Sequence, residues 1–226
     1  MTALAAVLAA AAAVAAPSAK PPTAMIDHVM LGVSDLDAAM RDFERSTGVK
    51  PQFGGVHPGR GTRNAIVSLG DGRYLEIIAP DPDQDAKEGM AAELAALKRS
   101  TVIGWAVGTN DAAGLAATLK RIGVAADAPS PGARKRPDGV ELSWVTFDIP
   151  GMDENVAPFF IEWRTPDHPS RDAPQGCRLR ALLVEASEPE PLKKLITALR
   201  LPVRVKRAKQ SQLSLSADCP KGRVSF

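Results

Sequence analysis

The sequence predicts an α+β fold assembled from repeated βαβββ units. Two observations carry this. An order of strand, helix and three strands occurs twice after Met25, and the helix starts and turns carry the chemistry those elements need.

The first copy opens with an apolar strand, Ile26 to Val33. A helix follows with Ser34 or Asp35 as N-cap, Leu36, Met40 and Phe43 along one face and Gly48 closing it. Three strands come next, Lys50 to Val56, Asn64 to Leu69 and Arg73 to Ala79, with Asp71-Gly72 as a hairpin turn between the last two. Lys87 to Arg99 reads as a bridging helix. The second copy has a strand at Val102 to Val107 and a helix capped by Asp111 that carries Leu115, Leu119 and Ile122 and ends at Gly123. A short apolar run, Val124 to Ala128, precedes strands at Val140 to Phe147 and Pro158 to Trp163. Pro/Gly-rich loops are expected at Pro129 to Gly139 and Asp148 to Pro158. Gly32 lies on Gly108 and Asp35 on Asp111 without a gap.

A fainter third copy runs from Leu179 to the end: an apolar strand to Glu185, a helix over 188–199, and strands at Leu201 to Val205, Gln212 to Leu215 and Arg223 to Phe226. It reads as a partial βαβββ-like unit extending the fold. The expected division is therefore residues 1–24 outside the fold, a two-module domain over 25–169 and the extension over 170–226.

The chain has 226 residues, with 28 Lys and Arg against 26 Asp and Glu, a net charge of +2. That balance argues against nucleic acid as the main partner. The basic residues Arg200, Arg204, Lys206, Arg207 and Lys209 alternate as an edge strand does, where positive charge opposes aggregation. Arg134-Lys135-Arg136 reads as a solvated loop. Residues 1–16 are mostly alanine, too short and weakly apolar for a membrane span. They are similar to the apolar region of a secretory signal, although no basic residue precedes Lys20. Export to the periplasm or medium is the favoured reading; the other is a start at Met25 and a cytoplasmic protein. Two cysteines, Cys177 and Cys219, are too few for a disulfide scaffold, and after export they are free to pair. No phosphate-binding loop, serine elbow or paired-cysteine redox motif is present.

The tandem units resemble the vicinal oxygen chelate superfamily and, within it, the bacterial glyoxalase-like domain proteins. The resemblance rests on Ile-Asp-His-Val-Met-Leu-Gly-Val-Ser-Asp-Leu-Asp at 26–37 and His-Pro-Gly-Arg-Gly-Thr-Arg-Asn-Ala at 57–65. Gly-Asp-Gly-Arg-Tyr-Leu-Glu-Ile-Ile-Ala-Pro at 70–80 and Pro-Phe-Phe-Ile-Glu-Trp at 158–163 complete it. It implies that each unit forms half of a cupped mixed sheet around a divalent metal, with ligands from the first and last strand of each unit. His28 and Glu76 stand at these positions in copy one and Glu162 in copy two, matched through Tyr-Leu-Glu-Ile and Phe-Ile-Glu-Trp. The fourth position is Gly104, followed by Trp105, a departure from the pattern. One imidazole and two carboxylates suit Zn, Mn, Ni or Fe.

The chemistry of the residues agrees in part. Glu76 lies between Leu75 and Ile77, and Glu162 between Ile161 and Trp163, where an unpaired acid is costly to bury. Both also have arginines nearby in sequence, Arg73 and Arg164, with which a surface ion pair is the bland alternative. His28 reads as a metal ligand or a core histidine. His57 and Arg60, in a glycine-rich stretch, read as an acid and an anion contact or as a surface loop. His168 reads as a loop residue or as a group closing over the site. Alternation puts Tyr74 on the face of Glu76 and Phe160 on that of Glu162, and with Trp105 beside the missing-ligand position and Asn64 at the start of a cup strand these are the candidate substrate contacts.

Three functions fit these readings. One is a metal-dependent lyase or isomerase acting on a small carbonyl or vicinal-oxygen compound, with Glu162 as base and His57 as orienter or acid. A dioxygenase ranks lower. The third is a metal-free protein that sequesters a small molecule, favoured by Trp105 in place of a ligand. Members of the superfamily often dimerise to complete a cup, so a homodimer is one assembly; two units in one chain offer the other.

Overall fold

The computed structural model describes residues 22–84 and 88–226. The expected leader at 1–24 lies almost wholly outside the described residues, as does Lys87. The elements follow the order β1 (Met25–Gly32), α1 (Leu36–Thr47), β2 (Gln52–His57), β3 (Thr62–Gly70), β4 (Arg73–Pro80) and α2 (Gly89–Ala95). The second unit contains β5 (Thr101–Gly108), α3 (Ala112–Arg121), β6 (Ser130–Lys135), β7 (Glu141–Phe147) and β8 (Phe159–Trp163). A short 3-10 turn (Pro169–Arg171) leads to β9 (Arg178–Ala186), α4 (Glu190–Leu199), β10 (Arg204–Arg207), β11 (Gln212–Cys219) and β12 (Gly222–Ser225).

The first eight strands form one mixed sheet in the order β2-β3-β4-β1-β5-β8-β7-β6. Within each unit the last strand pairs parallel with the first, β4 with β1 and β8 with β5, and the two units join through the antiparallel pair β1–β5. The end strands β2 and β6 approach each other, so the sheet curls into a nearly closed cup. The matched aspartates perform the same task in both units: Asp35 accepts from the amide of Ala38 and Asp111 from that of Gly114, each capping its helix. Asp71 and Gly72 both adopt positive φ, the geometry of a tight hairpin turn.

Alternation along the strands separates the core from the cup. On β4, Leu75, Ile77 and Ala79 enter the main hydrophobic core, while Tyr74, Glu76 and Ile78 line the cup. On β8, Phe160 faces the core and stacks on Phe147 with ring centroids 4.6 Å apart, leaving Phe159, Ile161 and Trp163 to the cup.

One expectation is corrected and another is refined. The stretch 129–139, expected to be a loop, contains the edge strand β6, which pairs with β7 from Ser130–Thr146 to Lys135–Glu141. Pro131 and Gly132 are tolerated in it because an edge strand needs only one row of backbone bonds. The third unit has the expected element order but a different pairing: β10 pairs parallel with β9, and the sheet runs β10-β9-β11-β12. It packs beside the cup through β11 against β5 and β9 against β3. No helix among the described residues is long and apolar enough to cross a membrane.

Cys177 and Cys219 form a disulfide across a sequence separation of 42. It pins the end of the segment 164–177, which straps across β3 and β4, to the C-terminal sheet. Closing a loop of this length constrains the unfolded chain by about 4 kcal/mol. Reduction should therefore lower the unfolding free energy in a urea titration by about that amount. An unshifted midpoint would show that the remaining contacts hold the strap unaided.

Candidate functional site

The cup encloses a cavity of about 920 Å³ with a polar floor and apolar walls. The floor is organised by a carboxylate behind it. In the β1–β5 pairing Ile26 faces Val107 and His28 faces Ala106, so Asp27 is an extra, bulged residue that escapes the alternation. Its side chain lies over Gly108, where a methyl group would come within 2.9 Å of Oδ2. Asp27 Oδ1 accepts from His28 Nδ1 at 2.7 Å, and Oδ2 accepts from Trp163 Nε1 at 3.2 Å. His168 completes the set. Its Nδ1 accepts from the amide of Ser170, so Nε2 carries the proton and donates to Asp27 Oδ2 at 3.0 Å. Burial pushes the Asp27 carboxyl up, but the hydrogen bonds and charges of His168 and His28 outweigh it and hold the pKa at about 2.

An ionised Asp27 can only accept, so the His28 proton sits on Nδ1 and Nε2 faces the cup. The ring is stacked on Tyr74, with centroids 4.7 Å apart, and meets the edge of Phe159. Nε2 lies 3.7 Å from Glu76 Oε2. The other Glu76 oxygen accepts from Asn64 Nδ2 at 2.6 Å and lies 3.7 Å from His57 Nε2. His57 is held in turn by a contact between Nδ1 and Thr62 Oγ1 at 2.9 Å. Burial would raise the Glu76 pKa, yet His28, His57 and Asn64 together bring it below its ordinary value. The His57 pKa is lowered, mainly by burial, against the upward pull of Glu76.

The structure brings His28, His57, Arg60, Asn64, Tyr74 and Glu76 to the cup. Three expected residues are not brought there. Trp105 is fully buried in the core, its Nε1 donating to the Val156 carbonyl, and Phe160 lies on the same outer side. Glu162 is the largest correction. Its Oε2 accepts from the amide of Ala112 at the start of α3, and its Oε1 is 2.8 Å from Arg164 Nη1. The error is one of register. Gly32 faces Ile78 and Gly108 faces Ile161, so the position equivalent to Glu76 is Phe159. An offset of three residues turns a strand side chain to the other face.

Sequence reading also missed Asp27, whose bulge is invisible in a hydrophobic pattern, and Arg134, assigned to a loop. Arg134 is 6% exposed, lines the cup from β6 and donates to the Gly54 carbonyl of β2. Gly55, at φ 134°, leaves the room this arginine needs, since a methyl group there would lie 3.0 Å from Nη1.

The donor set does not match the metal centre that the resemblance implies. Of its four positions, His28 and Glu76 carry ligands, while Gly104 and Phe159 carry none. The Asn64 amide, a hydrogen-bond donor, occupies Glu76 Oε1 beside His57. Among the described residues no three His, Cys, Asp or Glu side chains are grouped to share an ion.

A curled sheet of paired βαβββ units with a polar cluster at its floor defines a protein of the vicinal oxygen chelate superfamily. The chain belongs to the glyoxalase-like domain family, whose profile matches residues 26–200. No curated protein matches it. Among solved structures, a hypothetical protein from Staphylococcus aureus superposes with a TM-score of 0.67 at 15% identity, covering 84% of this chain and 88% of that one. A methylmalonyl-CoA epimerase variant from Streptomyces coelicolor, in complex with 2-nitronate-propionyl-CoA, gives 0.47 at 22% identity over 62% of this chain and 97% of that one. The Mycobacterium tuberculosis methylmalonyl-CoA epimerase gives 0.45 at 19%, over 61% and 86%.

The depressed Asp27 pKa ties stability to pH. A group whose folded pKa lies below its unfolded value contributes in full above about 3.8 and loses that contribution as the pH falls towards 2. The stability difference between the parent and Asp27→Asn should shrink by about 2 kcal/mol between pH 6 and pH 2 in urea titrations. A difference independent of pH would mean that Asp27 is not held ionised.

Proposed function

We propose that the cup moves a proton at a carbon next to the carbonyl of a small carbonyl or vicinal-oxygen compound, as an isomerase or lyase does. The observation that carries this reading is His28, fixed by Asp27 and turned towards Glu76 at the floor of a largely apolar cavity. His28 Nε2 takes the proton from carbon, and the electron pair left behind passes to the carbonyl oxygen as an enolate. Asp27 and Glu76 flank the imidazolium that forms and stabilise it. Glu76 is the poorer base because its pKa is lowered, so its role is a fixed charge. His57 stands beside Glu76 as a polar contact for a substrate oxygen. Return of the proton to the same or the neighbouring carbon completes an epimerisation or isomerisation.

The decisive measurement is deuterium uptake by hydroxyacetone and longer 1-hydroxy-2-alkanones in heavy water, followed by NMR. His28→Gln should slow it by about 10²- to 10⁴-fold. Uptake no faster than in buffer, or uptake unaffected by His28→Gln, would refute the reading and leave the cup as a binding site.

Metal dependence is the second reading. It is favoured by the backing of His28 Nδ1 by Asp27, the arrangement that commonly orients a metal-bound histidine. His28 and Glu76 would be the protein ligands. Exchange that survives chelation would count against it. Exchange lost on chelation and restored by Zn, Mn, Ni or Fe(II), with metal found by elemental analysis, would establish it. Export to an oxidising compartment is proposed as well, supported by the Cys177–Cys219 bridge.

A further inference from the structure

From Arg134 and the lining of the cup, we infer that the substrate is a monoanionic acid whose carboxylate lies beside the reacting carbonyl and whose remainder is an apolar chain. The inference rests on the reading of the cup as the reaction site and names the substrate class for it.

Of the two arginines that line the cavity, Arg60 is exposed and Arg134 is buried. Burial lowers its pKa and the Glu76 charge pulls it back up, and a guanidinium starts so far above neutrality that it keeps its charge. Its one side-chain hydrogen bond among the described residues goes to the uncharged Gly54 carbonyl, which leaves most of a five-donor fork without a protein acceptor there, on a side chain that lines the cavity. Glu76 acts on it only through its charge: one carboxylate oxygen accepts from Asn64 and the two lie 3.7 Å from His28 and His57, and among the described residues no carboxylate pairs directly with the guanidinium. A guanidinium in this state is matched by a planar carboxylate, which it grips with two parallel bonds. A phosphate dianion or a nucleotide is a poorer match, since Glu88, Asp148 and Glu154 line the same cavity and would repel it.

The rest of the ligand follows from the walls. Two residues beyond His28 and Glu76 along their strands lie Met30 and Ile78, about 7 Å further on. Ile103 and Phe159 pack against this pair to form an apolar wall. Trp144 and Trp163, with ring centroids 5.4 Å apart, add an aromatic face. A cavity of about 920 Å³ holds much more than a three-carbon acid.

The probes are 2-oxooctanoate, its uncharged counterpart 2-octanone, and pyruvate, with binding read from tryptophan fluorescence and calorimetry. The expected result is binding of 2-oxooctanoate well ahead of 2-octanone, and ahead of pyruvate by about 100-fold or more. Arg134→Gln should weaken 2-oxooctanoate by about 10- to 100-fold and leave 2-octanone where it was. Arg134→Lys should fall between, because it keeps the charge but not the fork. Equal affinity for charged and uncharged probes in the parent would overturn the inference. So would failure of 2-oxooctanoate to bind, or an equal loss of both probes in a folded Arg134→Gln, which would make the arginine a clamp between β2 and β6. If Arg134→Gln does not fold, the parent's preference and Arg134→Lys decide. The two proposals fail separately. A carboxylate preference without deuterium exchange at C3 of 2-oxooctanoate removes the proton-transfer reading alone. Exchange that runs as well on 2-octanone removes the carboxylate subsite alone.

Discussion

One buried carboxylate holds the floor of the cup in register. Asp27 is 4% exposed and accepts from His28, Trp163 and His168, groups that arrive from the first strand of one unit, the last strand of the other and the strap beyond them. A buried charge with this many donors is stable only while all are in place, and stripping one partner from such a cluster costs about 3–5 kcal/mol. The backbone bulge that turns Asp27 off the alternating pattern, and the glycine at 108 that leaves it room, are therefore constraints set by electrostatics. The orientation of His28 is their consequence.

The strap makes the C-terminal unit part of this arrangement. His168 lies at its near end, Asp172 pairs with Arg136 of the β6–β7 hairpin at 2.7 Å, and the Pro174 carbonyl accepts from the amide of Ser68. The disulfide then ties its far end to β11. A third unit with its own sheet thus supports a donor to Asp27 without lining the cup itself. The family match extends to residue 200, beyond the two cup-forming units and through α4.

Much of the fold was legible because its signals are local. The paired caps Asp35 and Asp111, the Asp71-Gly72 turn and the apolar faces of the helices each follow from the chemistry of a few neighbouring residues. His28 and Glu76 were legible for a related reason: each interrupts an apolar strand. Glu162 satisfies the same criterion and yet caps α3, because a buried acid in a strand is costly on either face and only the register says which one it occupies. Asp27 depends on a bulge and Arg134 on an edge strand rich in Pro and Gly. Neither leaves a periodic trace, and both are defined by contacts with residues distant in the chain.

The two units have equivalent backbones and divide the work unequally. The first turns His28, Asn64, Tyr74 and Glu76 inward. At positions related by the repeat, the second presents Gly104 and Phe159, and Glu162 serves a helix on the outside. What the second unit adds to the cup is space, apolar surface, the guanidinium of Arg134 and the carboxylates of Asp148 and Glu154. A metal held symmetrically between two halves needs ligands from both. The two cup histidines, His28 and His57, and the buried Glu76 all come from the first half, so the second half supplies no counterpart to the polar floor. The strand order places the arginine at the seam where β6 meets β2, opposite the β1–β5 junction. The side chain that bridges β6 to the Gly54 carbonyl of β2 is thus also one that lines the cavity.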